Sequence, residues 1–534
     1  MIAAADHAIP HDNEQDSEYE DYSSDEEEST DQGHTKLNDE SLLQLKNNDP
    51  KLTQLDTDNW NEDSFARKVD WLNYVGTFES NTNLKKLYID FAREHETAAS
   101  DYPLCSNASA FGSKLSCIRS VEDLYITDIG EYDDKVFASL APLFEKSTNL
   151  IKISLGDCYF STKSTRLLAS ALSKQQNKGS LKCFSLFDAY FGDENDVEKA
   201  DLITALGDYH SLKNLRIRDG GFQGRECHAA LANVIRNPLC NVKRLHCGST
   251  GIDSESLLIL LEALTENTSV KGLDLQGHYN GSRLSTLGRD VSIWLQNNST
   301  LQYLDLSYCG ITDQDIIALG NALMSNSTLQ VLNVGTNRSI TSMGWQAFSI
   351  YLQNHNSTFK NLKADDTDMN DESLMVLLNA LANDTILKTL VAHPNDSISD
   401  IGWQALADFL CDKTSLESIY TSNHTLQQIY AGYYYNDDGP KDHLVSLLEL
   451  NQNGNKHEVA RQKLIRYYFS NDDGGIVKVE DFVDMELEVL PYAIAWVGRD
   501  DTGHSLLYKL FQTMPTLFDT DSKAKAAGEK RKRV

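Results

Sequence analysis

No stretch of this 534-residue chain reaches the roughly 18 consecutive apolar residues that a membrane helix requires, so no helical span is expected. The amino-terminal run MIAAADHAIPHDNEQD has neither a basic start nor an apolar centre, and no secretory signal is read there. The nine cysteines (Cys105, Cys117, Cys158, Cys183, Cys227, Cys240, Cys247, Cys309, Cys411) contain no CxxC pair, which removes the usual zinc and dithiol patterns. Odd in number and scattered, they are expected as reduced thiols of a cytoplasmic or nuclear protein. The short GGFQG at 220–224 lacks the Lys-Ser/Thr of a phosphate loop and reads as a turn after a strand. Histidines fall in no elbow or zincin motif, so no nucleophile, base and orienting acid can be assigned. The expectation is a protein that is not an enzyme, with no cofactor, no metal and no small-molecule substrate.

Basic residues are missing from residues 1–35, which hold twelve Asp or Glu, whereas residues 523–534 carry six Lys or Arg against one Glu. The net charge is −31. An acidic body repels a phosphate backbone, which argues against nucleic acid and for a protein partner with basic groups. Within the acidic arm, SSDEEE makes Ser23 and Ser24 candidate phosphorylation sites, and phosphate there would deepen the negative charge. Lys530, Arg531, Lys532 and Arg533 have the form of a nuclear import signal.

What is present in abundance is Leu-x-x-Leu-x-Leu, plainest in LQYLDLSYCGIT, where Leu301, Leu304 and Leu306 precede Cys309. Matching segments start at Leu52, Leu84, Val121, Leu150, Leu181, Leu212, Val242, Val270, Leu301, Leu329, Phe359, Leu387 and Leu416. Each start is followed by a short alternation of period two and then by a segment of helical period, such as SMGWQAFSIYLQ or DIGWQALADFLCD. Asp313, Asp371 and Asp400 suit the N-caps and first turns of those helices. The Asn-x-Ser/Thr triplets at Asn298, Asn326 and Asn356 read as loop residues.

These features resemble the long repeats of the ribonuclease-inhibitor-like class of leucine-rich repeat proteins over residues 52–430. The resemblance implies an α/β fold, a right-handed horseshoe solenoid of strand, loop and helix. That class prefers Asn or Cys three residues after the last strand leucine. Cys158, Cys309, Asn337 and Asn395 fit, whereas Ala189, Gly220, Thr250, His278 and Thr367 depart. Strands stack about 4.8 Å apart and helices about 8–10 Å apart, so an array curves with its strands on the concave side. Outside it, residues 1–40 are too acidic to bury a core and are expected to be disordered. Residues 41–430 form the repeat domain, 431–518 a mainly helical cap and 519–534 a flexible basic tail. The wording VARQKL and MELEVLP in the cap is similar to an uncharacterised group of microalgal leucine-rich repeat proteins.

Residues two, four and six places after each start alternate away from the core, towards solvent on the strand face. Arg216, Arg218, Arg244 and His246 then gather on neighbouring strands, followed by Asp274, Tyr303 and Asp305. Charge-assisted bonds from this spot would suit a partner with complementary charges. The plainer alternative is mutual balancing of solvated residues, Arg216 and Arg244 with Asp219 and Asp274. Cys227, His228, Cys240, His246 and Cys247 read as packing rather than as zinc ligands. The function expected is a non-catalytic scaffold binding a macromolecule on the concave face. Two alternatives come from resemblance: acidic nuclear leucine-rich repeat proteins that bind histones, and GTPase-activating leucine-rich repeat proteins.

Overall fold

A computed structural model describes residues 39–463 apart from 57–80, 91–117, 119, 131–133, 176, 193–195, 219–221, 223, 279–285, 354–357, 383, 394, 396, 431–441 and 453–455. Ser23, Ser24, Asn356, Lys530, Arg531, Lys532, Arg533 and most of the segment read as a cap lie outside the described residues. Two compact units, Met1–Leu212 and Lys213–Val534, divide the chain.

In the first unit, β1 (Gln54–Asp56), β2 (Lys86–Asp90), β3 (Asp123–Thr127), β4 (Lys152–Gly156) and β6 (Cys183–Phe187) are neighbours in that order and parallel. A second pair, β5 (Tyr159–Phe160) and β7 (Tyr190–Phe191), is also parallel. Apart from α1 (Asp39–Lys46), the helices among the described residues of this unit, α2 (Asp134–Lys146), α3 (Thr162–Lys174) and α4 (Asp196–Gly207), pack in sequence. Phe160 stacks on Phe191 and packs at a tilt against Phe137, at 4.7 Å from each, so successive turns of chain are joined by aromatic contact as well as by backbone bonds.

The second unit repeats the plan. Its strands are β8 (Asn214–Ile217), β9 (Arg244–His246), β10 (Gly272–Asp274), β11 (Tyr303–Asp305), β12 (Val331–Asn333), β13 (Asn361–Lys363), β14 (Thr389–His393) and β15 (Gln428–Tyr430). They lie side by side in chain order and parallel. Leu215, Leu245, Leu273, Leu304, Leu332, Leu362 and Leu390 share one register position and are all buried. Between strands run α5 (Arg225–Arg236), α6 (Ser254–Glu266), α7 (Leu287–Asn297), α8 (Asp313–Leu323), α9 (Ser342–Leu352), α10 (Asp371–Ala380) and α11 (Asp400–Leu410). This is an α/β repeat solenoid, as the period switch implies. Within 431–463, α13 (Asp442–Asn451) and α14 (Lys456–Lys463) are helical.

Several sequence expectations are corrected in detail. The last repeat starts at Leu426, which is buried, and Leu416 instead opens the short helix α12 (Leu416–Thr421). Tyr420 therefore lies in a helix and not on the strand face. Asp313 and Asp371 sit in first turns, while Thr312, Asn370 and Ser399 are the N-caps. Those two carboxylates reach the next repeat. Asp313 accepts from the N–H groups of Thr341 and Gly344 at 2.7 and 3.1 Å, and Asp371 from Ser399 and Gly402 at 2.8 and 3.0 Å. Asn298 and Asn326, read as loop residues, are buried turn caps: each side-chain oxygen accepts from the backbone N–H of the repeat-starting leucine, Leu301 at 2.7 Å and Leu329 at 2.9 Å.

Three of the departures from Asn or Cys after the strand keep a side-chain bond or close polar contact there, Ala189 is buried without one, and Gly220 lies outside the described residues. Thr250 donates to the Cys247 carbonyl at 2.9 Å and Thr367 to the Ala364 carbonyl at 2.9 Å, and His278 Nε2 lies 3.1 Å from the Cys247 carbonyl. Burial holds the His278 imidazole below its ordinary pKa and the Cys309 thiol above its own. Both then serve as neutral partners inside the turn.

Candidate functional site

Seven residues expected to form a binding surface fall on β8–β11 or just beyond, and register brings four of them side by side. Arg216 lies opposite His246, His246 opposite Asp274, and Asp274 opposite Asp305. Arg244 and Tyr303 flank Gly272 one pleat earlier. The strand face is thus a grid in which neighbouring columns are two residues apart and neighbouring rows one strand apart, about 4.8 Å.

Exposure divides this set. Arg216, Arg218, Arg244 and His246 are partly exposed. Asp274 and Asp305 keep only 2% of their surface and Tyr303 only 6%, so the expectation that these three point into solvent is corrected. Side chains packed along the strand face cover one another there.

The reason Asp stands at this column is structural. Asp274 Oδ1 accepts from the Gln276 N–H at 2.8 Å, Asp305 Oδ1 from the Ser307 N–H at 2.8 Å, and Asn333 Oδ1 from the Gly335 N–H at 2.9 Å. Each closes an Asx turn where its strand ends, a role open only to a short side chain with an acceptor oxygen. Leucine spacing carries no sign of this; the D-x-[QS] and N-x-G pattern four places after Val270, Leu301 and Leu329 is the signal that could have found it.

The second carboxylate oxygens make the electrostatics. His246 Nδ1 lies 3.2 Å from Asp274 Oδ2. Tyr303 Oη and Asn333 Nδ2 donate to Asp305 Oδ2 at 2.9 and 2.7 Å. Burial opposes ionisation of Asp274, but the His246 bond and charge, the Gln276 N–H and the more distant Arg218 together hold its carboxyl below the ordinary range. For Asp305, burial and then the Asp274 charge push the pKa up to about 6, against bonds from Ser307 and Tyr303. Asp274 and Asp305, buried side by side on adjacent strands, titrate as a pair.

Arg218 is anchored. With the Gln276 amide oriented so that its oxygen faces the guanidinium, Arg218 donates to it at 3.0 Å. Gly248 occupies the intervening position of that column, and a Cβ there would come within 2.8 Å of Gln276 Cγ. Arg216 is different: its Nε is sealed from solvent and has no hydrogen-bond acceptor. The balancing expected of Arg216 by Asp274 does not form, since Asp274 is engaged by His246; Asp219 lies outside the described residues.

The cysteine and histidine positions near this face are occupied by packing. Cys227 and His228 are buried on α5, and Cys247 is buried at the end of β9, its thiol 3.5 Å from the Asp274 carbonyl oxygen. Burial raises the Cys247 pKa well above the ordinary thiol value, so it remains a neutral donor. Among the described residues no helix is long and apolar enough to cross a membrane.

A family model described as Leucine Rich repeat matches residues 297–320, which take in β11 and the start of α8. The chain is 26% identical over 178 residues to the NACHT, LRR and PYD domains-containing protein 3 of Homo sapiens, covering 33% of this chain and 17% of that protein. It is 28% identical over 276 residues to the NACHT, LRR and PYD domains-containing protein 9C of Mus musculus, covering 49% of this chain and 26% of that protein. The chain therefore spans a minor part of the length of these relatives. A chain in the crystal structure of a Rad7 and Elc1 complex in yeast aligns over 68% of this chain and 89% of its own length, with a TM-score of 0.35 and 14% identity, a likeness that carries no argument.

Proposed function

We propose that this leucine-rich repeat chain is a non-catalytic scaffold that holds a protein partner on the strand face of the Lys213–Val534 unit, through Arg216, Arg218, Arg244 and His246. The side-by-side placement of Arg216, Arg244 and His246 on neighbouring strands, each partly exposed together with Arg218, carries the reading. Asp274, Tyr303 and Asp305 stand behind these residues as supports. The ribonuclease-inhibitor-like class is favoured by the regular strand–loop–helix unit and by steps of 28–31 residues from Leu150 to Leu387.

Reversal of charge at Arg216 and Arg244 together, followed by comparison of the proteins captured by variant and wild type in the same cells, tests the reading. Loss of specific partners is expected, and an unchanged set removes this face from consideration. The basic tail favours a nuclear location, to be checked by imaging the chain with and without residues 523–534. Histone binding by the acidic arm is a second reading, favoured by its twelve carboxylates. Deletion of residues 1–35 should abolish salt-sensitive histone binding if that reading is right.

A further inference from the structure

The position one place after each repeat start in the Lys213–Val534 unit is held by Lys213, Lys243, Lys271, Gln302, Gln330, Lys360, Lys388 and Gln427. Not one is acidic, in a chain with 79 Asp and Glu against 48 Lys and Arg. Consecutive members are joined through the backbone. The Lys243 N–H donates to the Lys213 carbonyl at 2.6 Å, Lys271 to Lys243 at 2.8 Å, Gln302 to Lys271 at 2.7 Å, and so on to Gln427 and Lys388 at 2.7 Å. The column is therefore a ladder with one rung per strand, about 4.8 Å apart.

At its β8–β10 end the ladder meets the arginines. Lys213, Arg216 and Arg218 belong to one turn of chain, Lys243 and Arg244 to the next, and Lys271 to the third. Lys213 and Lys243 are exposed, and Lys271, Arg216 and Arg244 are partly exposed. Among the described residues, Lys213, Lys243, Lys271 and Arg216 form no ion pair. Elsewhere the same chain pairs its surface cations readily, as in Arg225–Glu255 at 2.6 Å and Arg338–Asp366 at 2.7 Å.

We infer that this row of cations, in which Lys213, Lys243, Lys271 and Arg216 form no ion pair among the described residues, binds an extended acidic segment of a protein partner. The inference rests on the reading of the strand face as the binding surface and names the chemistry it takes. A peptide in extended conformation advances about 3.3 Å per residue, so carboxylates on alternate residues, about 6.6 Å apart, lie within reach of flexible lysines on successive rungs. One carboxylate then comes within reach of the partly exposed Arg216 guanidinium. A short acidic segment also fits better than a nucleic acid. Its few charges stay within about 8 Å of the grid, the screening length at physiological salt, whereas a longer polyanion extends over a body of net charge −31.

The test is fluorescence anisotropy of the full chain with labelled decaglutamate, decaglutamine and a ten-nucleotide single-stranded DNA. Decaglutamate is expected to bind, weakening at least tenfold between 50 and 200 mM salt, while decaglutamine does not bind. The triple substitution K213A/R216A/K243A should reduce decaglutamate affinity at least tenfold, and K360A/K388A, on the same ladder away from the arginines, by less than twofold. Unchanged thermal unfolding of both variants keeps the comparison valid; if the triple variant unfolds, K213Q/K243Q replaces it. Equal loss in both variants, or tighter binding of the DNA than of decaglutamate, overturns the inference. If decaglutamate fails to bind while reversal at Arg216 and Arg244 still removes captured partners, the scaffold reading stands and the acidic segment falls.

Discussion

Asp274 and Asp305 occupy the same register position on neighbouring strands, both buried, and only Asp274 has an imidazole against it, His246 at 3.2 Å. The asymmetry has a pH consequence. Asp305, raised to about 6 from 3.8, keeps its proton in the folded chain where the unfolded chain has lost it. Its contribution to stability is therefore greatest below about pH 4 and is lost as pH rises to about 6, by up to about 3 kcal/mol. In Asp305→Asn that loss is absent. Urea unfolding of variant and wild type between pH 4.5 and 7 should show their difference moving in favour of the variant as pH rises; parallel curves would refute the coupling.

Lys463 makes a prediction of opposite sign at higher pH. Its Nζ is buried and donates to the carbonyls of Leu410 and Asn423, both at 2.7 Å, and burial lowers its pKa to about 8 from 10.5. Between those values the unfolded chain holds a proton that the folded chain has released, so stability rises with pH, by up to about 3 kcal/mol. Lys463→Met removes the effect. The stability of wild type relative to this variant should grow from pH 8 to pH 10, as read by denaturant unfolding.

Asn337 connects five backbone groups. Its Nδ2 donates to the carbonyls of Leu306, Val334 and Gly335 at 2.9, 2.8 and 3.1 Å, and its Oδ1 accepts from Cys309 and Ile311 at 2.9 and 3.0 Å. Asn337→Ala leaves buried groups of two turns without partners, at about 1–3 kcal/mol each where water cannot enter. A loss of at least about 3 kcal/mol is expected by chemical denaturation, and a loss under about 1 kcal/mol would show that the turn has other means of support.

At Gly344, an added Cβ would lie 2.5 Å from Asp313 Oδ1 and 2.8 Å from Ile316 Cγ2. Helix propensity favours Ala by up to about 1 kcal/mol, whereas overpacking costs about 1–3 kcal/mol, so Gly344→Ala should destabilise. The cost should shrink in an Asp313→Ala background, because the two changes share one contact. A double-mutant cycle by thermal unfolding reads the coupling, and additive effects would argue against the contact.

How far the sequence was legible follows from what each residue answers to. Starting leucines were found because burial of one register position imposes a period, and Leu301, Leu304 and Leu306 are all buried. Leu416 was misplaced because its six-residue helix interrupts the period between Leu387 and Leu426, and a short apolar helix start looks like a strand start in one dimension. Thr250, His278 and Thr367 seemed irregular because their residue types differ from Asn and Cys; in three dimensions each reaches a neighbouring carbonyl all the same.

By itself the sequence determined the repeat, its length, the alternation of strand and helix, and the side of each strand on which Arg216, His246, Asp274 and Asp305 stand, because these depend on local periodicity. Only the tertiary structure decided which members of that row stay open to a partner. Exposure depends on what lies one strand away: Asp305 is covered where Tyr303 and Asn333 bond to it, while Arg216 stays partly exposed, and residues 28 to 31 places apart in the chain become neighbours only when the solenoid winds.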